Sequence, residues 1–475
     1  MSLPRMRLAS WIRSGPLLYD IDTRMPCRTE RVCSLEQLIC DWAAEQAPCR
    51  APADPIVRPR EPVVTRVAGS VECAANDGAH EPLSFPAEFI IVPMNRTRIP
   101  IFVVLIAALK QVSSSALHAA EGDSLPADLA LQPSHIVVSP WEQHLPATKR
   151  QGVAGIECTA KGRLWTVYGR DVESSRNFQI VRSSDDDGRS WSPVRLMILP
   201  RAGTRAMSAS VWIDPQGRLW LFWGQSAGMQ DGRFGVWAIV CDDPDAAAPR
   251  WSAPRRIGDG ILLNKPTVLT NGDWLLTSSV WKADNSIKVY ASVDQGKTFQ
   301  LRGTANIEDA RSRGPDEPMI VERKDGSLWM MVRCRGLAET ISHDHGRTWT
   351  PVQHIAMQHP TSRFFLRRLQ SGALLLVKHG RLNEKVKREK LMAFVSDDDG
   401  RTWQGGLMLD EREDVTYPDG VQAADGTIRI IYDHQRTPLG EVLMATFTEE
   451  DVRAGKPSGE LVRLRVEVDR LPRTD

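Results

Sequence analysis

The side chains with the most chemical capability stand at the edges of short apolar runs. Glu317 precedes PMIVE, Arg333 ends LWMMVR, Arg388 comes shortly before LMAFVS, and Tyr417 lies within DVTYPDGVQ. A guanidinium is planar and permanently charged, and it can bind both oxygens of a carboxylate. A tyrosine hydroxyl has a reference pKa of about 10, so it needs a neighbouring base to take its proton, and a glutamate can serve. Singly, each residue has an equally good structural reading. Arg333 suits an inter-strand arginine, Glu317 a loop carboxylate, and Tyr417 a core residue with its hydroxyl bonded internally. Together they say more, because all four fall at strand ends expected to face one pocket.

Other chemistries find little support. No phosphate loop, Ser-His-Asp arrangement or dinucleotide fingerprint stands out. Beyond residue 94 the only cysteines are Cys158, Cys241 and Cys334. They are too scattered for a disulfide framework, and no C-x-x-C or Cys/His cluster suggests zinc. They are expected to be small buried apolar residues. No metal and no cofactor is implied. The net charge is +1, so bulk electrostatics point to neither nucleic acid nor an anionic membrane. Fifteen Trp against five Tyr suits both blade packing and sugar stacking.

The elements that must position these side chains are repeated. SDDDGRSW from Ser184, SVDQGKTF from Ser292, SHDHGRTW from Ser342 and SDDDGRTW from Ser396 align, at intervals of 108, 50 and 54 residues. The long interval calls for a degenerate copy near its middle, and CDDPDAAAPRW from Cys241 to Trp251 supplies one. Six apolar hairpins turn at Gly162, Gly217, Gly272, Gly326, Gly372 and Gly426. Short strands, turn signals and no helical periods read as all-β, and four strands per repeat is propeller arithmetic. The fold class is therefore a six-bladed β-propeller. The SHIVVSP run from Ser134 and the LVRLRVEV run near the C-terminus are expected to complete one shared blade. In the turn motif, Asp186, Asp294, Asp344 and Asp398 are structural: each can accept bonds from turn N–H groups.

The N-terminal part is different. Residues 94–120 have two arginines, an eleven-residue apolar run from Ile99 to Leu109 and small residues up to Ala120. That is signal-peptide anatomy, and the run is too short for a membrane span. Residues 1–93 are expected to be a non-native or disordered extension, with translation starting at Met94. The mature chain, 121–475, would be the propeller, secreted or periplasmic.

The turn motifs, over roughly residues 134–475, resemble the Asp-box repeats of the sialidase (neuraminidase) superfamily. The resemblance implies a sialidase-type propeller with the boxes on its rim, away from the active site. Residue by residue, it implies Tyr417 as nucleophile, Glu317 as its base, and Arg333 and Arg388 as carboxylate-clamp arginines. Arg170 resembles an arginine facing the substrate from the first blade. The acid/base falls to Asp171 or Glu173. Gly152 stands where the family's first clamp arginine belongs, and Arg150, two residues earlier, is the expected substitute. A neutral Tyr suits an anionic sugar, since a carboxylate nucleophile would repel the substrate's own carboxylate. These residues point to a retaining exo-α-sialidase-like hydrolase acting as a monomer on glycans carrying sialic acid or a related acidic sugar. A lyase or other glycosidase acting on uronate-containing glycans, or a non-catalytic glycan-binding propeller, would fit the same residues. Neither nucleic acid nor, after signal cleavage, a membrane is expected as a partner.

Overall fold

The structure, a computed structural model, describes residues 65–71, 85–91, 131–138, 145, 148–171, 176–201, 204–227, 234–279, 286–308 and 316–472. The chain divides into two units, Met1–Ala120 and Glu121–Asp475. In the first, β1 (Thr65–Val71) pairs antiparallel with β2 (Phe85–Ile91), from Thr65↔Ile91 to Val71↔Phe85. Neither run alternates apolar and polar residues, so this pairing leaves no sequence signal. The rest of residues 1–93, and the signal peptide expected at 94–120, lie outside the described residues.

The second unit is a six-bladed β-propeller. The first blade is built from β3 (His135–Val138), β4 (Gln151–Cys158), β5 (Leu164–Arg170), β6 (Phe178–Ser184) and β7 (Leu196–Leu199). The second has β8 (Arg205–Ile213), β9 (Leu219–Ser226), β10 (Phe234–Cys241) and β11 (Arg255–Asp259). The third has β12 (Thr267–Val268), β13 (Trp274–Ser279), β14 (Ser286–Ser292) and β15 (Gln300–Asn306). The fourth has β16 (Pro318–Glu322), β17 (Leu328–Cys334), β18 (Gly336–Ser342) and β19 (Gln353–His354). The fifth has β20 (Phe365–Arg368), β21 (Leu374–His379), β22 (Glu389–Ser396) and β23 (Gln404–Glu413). The sixth has β24 (Val415–Gln422), β25 (Ile428–His434), β26 (Glu441–Phe447) and β27 (Arg463–Asp469), with one short helix, α1 (Glu449–Ala454), before β27.

Each blade contains a four-stranded antiparallel meander, to which β3 is added beyond β7 in the first blade, and that fixes which residues can meet. The start of a blade's first strand, the end of its second and the start of its third share one end. The hairpin glycines lie at the other end, with φ from 80° to 91° and open space beside them, so it is the left-handed backbone that calls for Gly. Glu317, Arg333, Arg388 and Tyr417 all belong to the first end. The Asp-boxes follow third strands and belong to the second.

The blades are held together by large apolar side chains. Trp212, Trp220, Phe222, Trp274 and Tyr290 pack between the second and third blades, with Trp212 and Trp274 edge-to-face at 4.9 Å. Trp251, from the degenerate box, meets Trp165 of the first blade at 6.0 Å. These tryptophans serve blade packing. Cys241 and Cys334 are buried and Cys158 is half-buried, all as free thiols.

The ring does not close through a shared blade. β3 pairs with β7 at the outer edge of the first blade, and β27 pairs with β26 in the sixth. Closure is made instead by contacts between the first and sixth blades, among them the Gln151 N to Arg436 carbonyl bond at 3.1 Å and an apolar cluster around Ile156, Tyr168, Ile431 and Met444. Asp469 accepts from Tyr168 Oη at 2.7 Å and from Arg170 Nη2 at 2.8 Å, while Asp187 receives Arg429 Nε at 2.9 Å and also pairs with Arg463.

Each Asp-box carboxylate ties its turn in the same way. Asp398 accepts from Ser396 Oγ at 2.8 Å, Thr402 N at 2.8 Å and Thr402 Oγ1 at 2.6 Å. Asp186, Asp294 and Asp344 repeat the pattern. Bonds led by the Ser190 hydroxyl, the Thr298 amide and the Thr402 hydroxyl hold Asp186, Asp294 and Asp398 down to about 2. A pKa depressed in the folded state contributes stability above the unfolded value of about 3.9, and that contribution fades as pH falls through the folded value. The melting temperature is thus expected to drop between about pH 4 and 2, more shallowly in Asp398→Asn, with turnover at neutral pH unchanged. An identical acid limb in the variant would show that the box does not carry this effect.

Candidate functional site

The site grows from two hairpins. In the fourth blade Pro318 pairs with Val332, and one further step of that register sets Glu317 opposite Arg333. In the sixth blade the pairing Val415↔His434, Thr416↔Asp433 breaks before Asp419↔Ile431. Tyr417 sits in this bulge with φ +56°. A bulge of this kind re-aims a side chain, and a non-glycine residue holds such a conformation only where its surroundings impose it.

Arg333 joins the two hairpins. Its Nη1 donates to Tyr417 Oη at 2.7 Å and pairs with Glu317 Oε1 at 2.6 Å. Arg333 and Glu317 are each only 2% exposed. Glu317 Oε2 is buried and has no hydrogen-bond partner in the protein, which leaves an acceptor available for a proton. The Thr361 carbonyl accepts from Arg388 Nη2 at 2.8 Å and from Arg333 Nη2 at 3.3 Å, setting both guanidiniums side by side. Their carbons lie 5.8 and 5.5 Å from the centre of the Tyr417 ring. The four residues singled out in the sequence therefore meet.

A third arginine, without a sequence motif to mark it, completes the cluster. Arg436 follows β25, and its guanidinium lies over the Tyr417 ring at 4.0 Å. Asp433 Oδ1 accepts from its Nε at 2.9 Å. Asp433 is fully buried and is fixed in turn by Thr416 Oγ1 and by Val153 N at 2.8 Å. The locating signal was topological: Arg436 follows the second strand of Tyr417's own blade, at the same end.

The charges act on one another. Burial raises the Tyr417 pKa above its usual value and Glu317 adds to this, against Arg333, Arg436 and Arg388. The phenol is therefore neutral at ordinary pH. Burial lowers Arg388, and the like charges of Arg436 and Arg333 lower it further. Burial also opposes the charge on Arg333, but Glu317 and Tyr417 outweigh it and raise its pKa.

Other residues expected at the site are engaged elsewhere. Arg170 is buried against Asp469 in the inter-blade seam. Arg150 Nη1 lies 3.5 Å from the Asp171 carbonyl, and its parity with Gly152 does not carry over. β4 begins only at Gln151, and its register is broken between Gly152 and Gly155. Asp171 has φ +70°, is largely buried, and has Arg176 at 3.5 Å. Glu173 lies outside the described residues. Near the axis, Asp419 is held by Arg363 at 3.0 Å and by Lys265 at 3.5 Å. Arg363 also donates to Asn264 at 2.9 Å, and Arg367 donates to the Pro266 carbonyl at 3.0 Å. These groups bind the blades together around the axis. The rings of His359 and His379 lie tilted against each other at 5.4 Å, and burial keeps both neutral, His379 down to about 3. Beyond Thr361 opens a cavity of about 330 Å³ lined by Arg335, Gly336, His359 and Lys385 among others.

Residues 162–430, more than half of the chain, match the family model described as a BNR repeat-like domain. The chain belongs to that family. Among solved structures, this BNR repeat-like protein is similar to the Hadza microbial sialidase Hz136 (TM-score 0.52, 19% identity, 77% of this chain and 74% of that one). It is similar to a protein of unknown function from Dyadobacter fermentans (TM-score 0.51, 14% identity, 66% and 97%). It is also similar to the intramolecular trans-sialidase from Ruminococcus gnavus (TM-score 0.51, 13% identity, 67% and 98%). At these identities the likeness is one of fold, the six-bladed propeller of the sialidase type. A sequence comparison with curated proteins gave no match.

Proposed function

We propose that this BNR repeat-like protein is a secreted, retaining glycoside hydrolase of the sialidase kind, acting on terminal sialic acid or a related acidic sugar. The observation that carries this reading is the single nitrogen of Arg333 shared by Tyr417 Oη and Glu317 Oε1, among further arginines suited to a carboxylate. Tyr417 Oη attacks the anomeric carbon while its proton passes to Glu317. The bond to the leaving oxygen breaks, and that oxygen takes a proton from an acid on the loop after β5, Asp171 or Glu173. Water then attacks the anomeric carbon and gives its proton to the carboxylate left on that loop, while the tyrosyl oxygen departs and recovers its proton from Glu317, releasing the sugar with its original anomeric configuration.

Incubation with a fluorogenic α-sialoside is the direct test, with free sialic acid as the expected product. A product absorbing in the ultraviolet from a uronate-containing polysaccharide, without sialic acid release, would identify a lyase. Retention of glycans with no turnover of either substrate would identify a binding propeller. Secretion rests on the leader read at residues 94–120. N-terminal sequencing of the mature protein is expected to begin after Ala120, and a mature chain keeping residues 1–93 would refute it.

A further inference from the structure

We infer that Arg436 is a specificity-determining residue that binds the substrate's carboxylate, supplied from the last blade in place of an arginine at position 152. The inference rests on the reading of the site as one for an acidic sugar. Its own support is geometric. Gly152 has φ +155°, and a Cβ placed there would lie 2.9 Å from Arg436 Cγ and 2.9 Å from Asp433 Oδ2. A side chain at 152 and the observed position of Arg436 are therefore mutually exclusive. The main chain around Gly152 also holds the intruding residue: Gln151 N donates to the Arg436 carbonyl at 3.1 Å, and Val153 N anchors the Asp433 carboxylate.

Charge accounting says what the cluster lacks. Arg333 is matched by Glu317 and Arg436 by Asp433. Arg388 is half-buried and bonds the neutral Thr361 carbonyl. Among the described residues, these three guanidiniums face these two carboxylates, an excess of one positive charge that a monoanion would balance. With Arg436 over one face of Tyr417, and Arg333 and Arg388 joined through Thr361, a carboxylate beside the phenol would be gripped from two blades besides its own. Asp433 is then a positioning residue, which aims Arg436 without touching the ligand.

Calorimetric titration with free N-acetylneuraminic acid, its methyl ester and D-glucuronic acid tests the inference. Arg436→Met is expected to weaken binding of the preferred free acid by about tenfold to a hundredfold, the equivalent of a lost charge-assisted bond. Binding of the ester, already weak, should change little. Gly152→Ala should show the same selective loss by displacing Arg436, and Arg436→Lys should recover part of it. Circular dichroism and melting of Arg436→Met are read alongside, because that substitution leaves the buried Asp433 carboxylate without its guanidinium, and Arg436→Lys, which keeps the charge, separates loss of fold from loss of binding. If Arg436→Met binds the free acid as the unmodified protein does while Arg388→Met does not, the inference is wrong and the glycosidase reading stands. If the unmodified protein binds neither acid, both fail. Preference for one acid over the other identifies the sugar class.

Discussion

Tyr417→Phe is expected to abolish sialoside turnover, by a factor on the order of 10³ or more, as removal of a catalytic nucleophile does. The substitution removes one oxygen and almost nothing else. The phenyl ring keeps its burial, its place in the bulge and its contact with Arg436 at 4.0 Å. Arg333 retains Glu317 at 2.6 Å and the Thr361 carbonyl at 3.3 Å. Binding of the free acid should accordingly persist, separating loss of chemistry from loss of the site. With the unmodified protein, the proposed mechanism requires nuclear magnetic resonance to show the first-released sugar with the anomeric configuration of the substrate, as two successive displacements give. A Phe variant within tenfold of the original rate would remove Tyr417 from the mechanism.

Glu317 gives the second large effect, and here two substitutions must be compared. Glu317→Gln preserves size and an acceptor for Arg333 but cannot take a proton. Turnover should fall by about 10²- to 10⁴-fold, the usual share of a general base, and the melting temperature should fall less than in the Leu variant, because Gln removes the charge opposite Arg333 but keeps a hydrogen-bond acceptor for it. Glu317→Leu strands the buried Arg333 charge. Breaking such a pair costs about 3–5 kcal/mol, so this variant should melt several degrees lower as well as losing activity. If Gln and Leu are equally unstable, the carboxylate serves Arg333 alone. If Gln turns over normally, another group accepts the Tyr417 proton.

The propeller was legible because each blade repeats its own grammar: a hairpin glycine, an apolar strand, an Asp-box. Even the damaged copy at Cys241 could be placed by interval, since the period reflects a physical unit. Glu317 and Arg333 could be paired across one hairpin because antiparallel register is local. Contacts between distant blades could not be read in this way. Nothing in GRLWTVYGR shows that Arg170 will find Asp469, about three hundred residues later. The two terminal runs look like partners by composition, yet each joins a different sheet. Arg436 carries no motif, because the role proposed for it depends on the room beside Gly152, and a sequence displays residues more readily than it displays room.

The manner of ring closure reaches beyond stability. Every blade of the second unit is built from strands consecutive in the chain, and among the described residues no strand from one end of it is woven into a blade at the other. In genetic terms each blade is a self-contained cassette of about fifty codons. Gain or loss of one would leave the remaining ladders intact and alter only the angle through which the ring must bend. The surfaces that would then have to find new partners are side-chain ones, the ion pairs of Asp469 and Asp187 and the apolar cluster around Ile156, Tyr168, Ile431 and Met444, and point mutation can rewrite side chains far more readily than a β-strand.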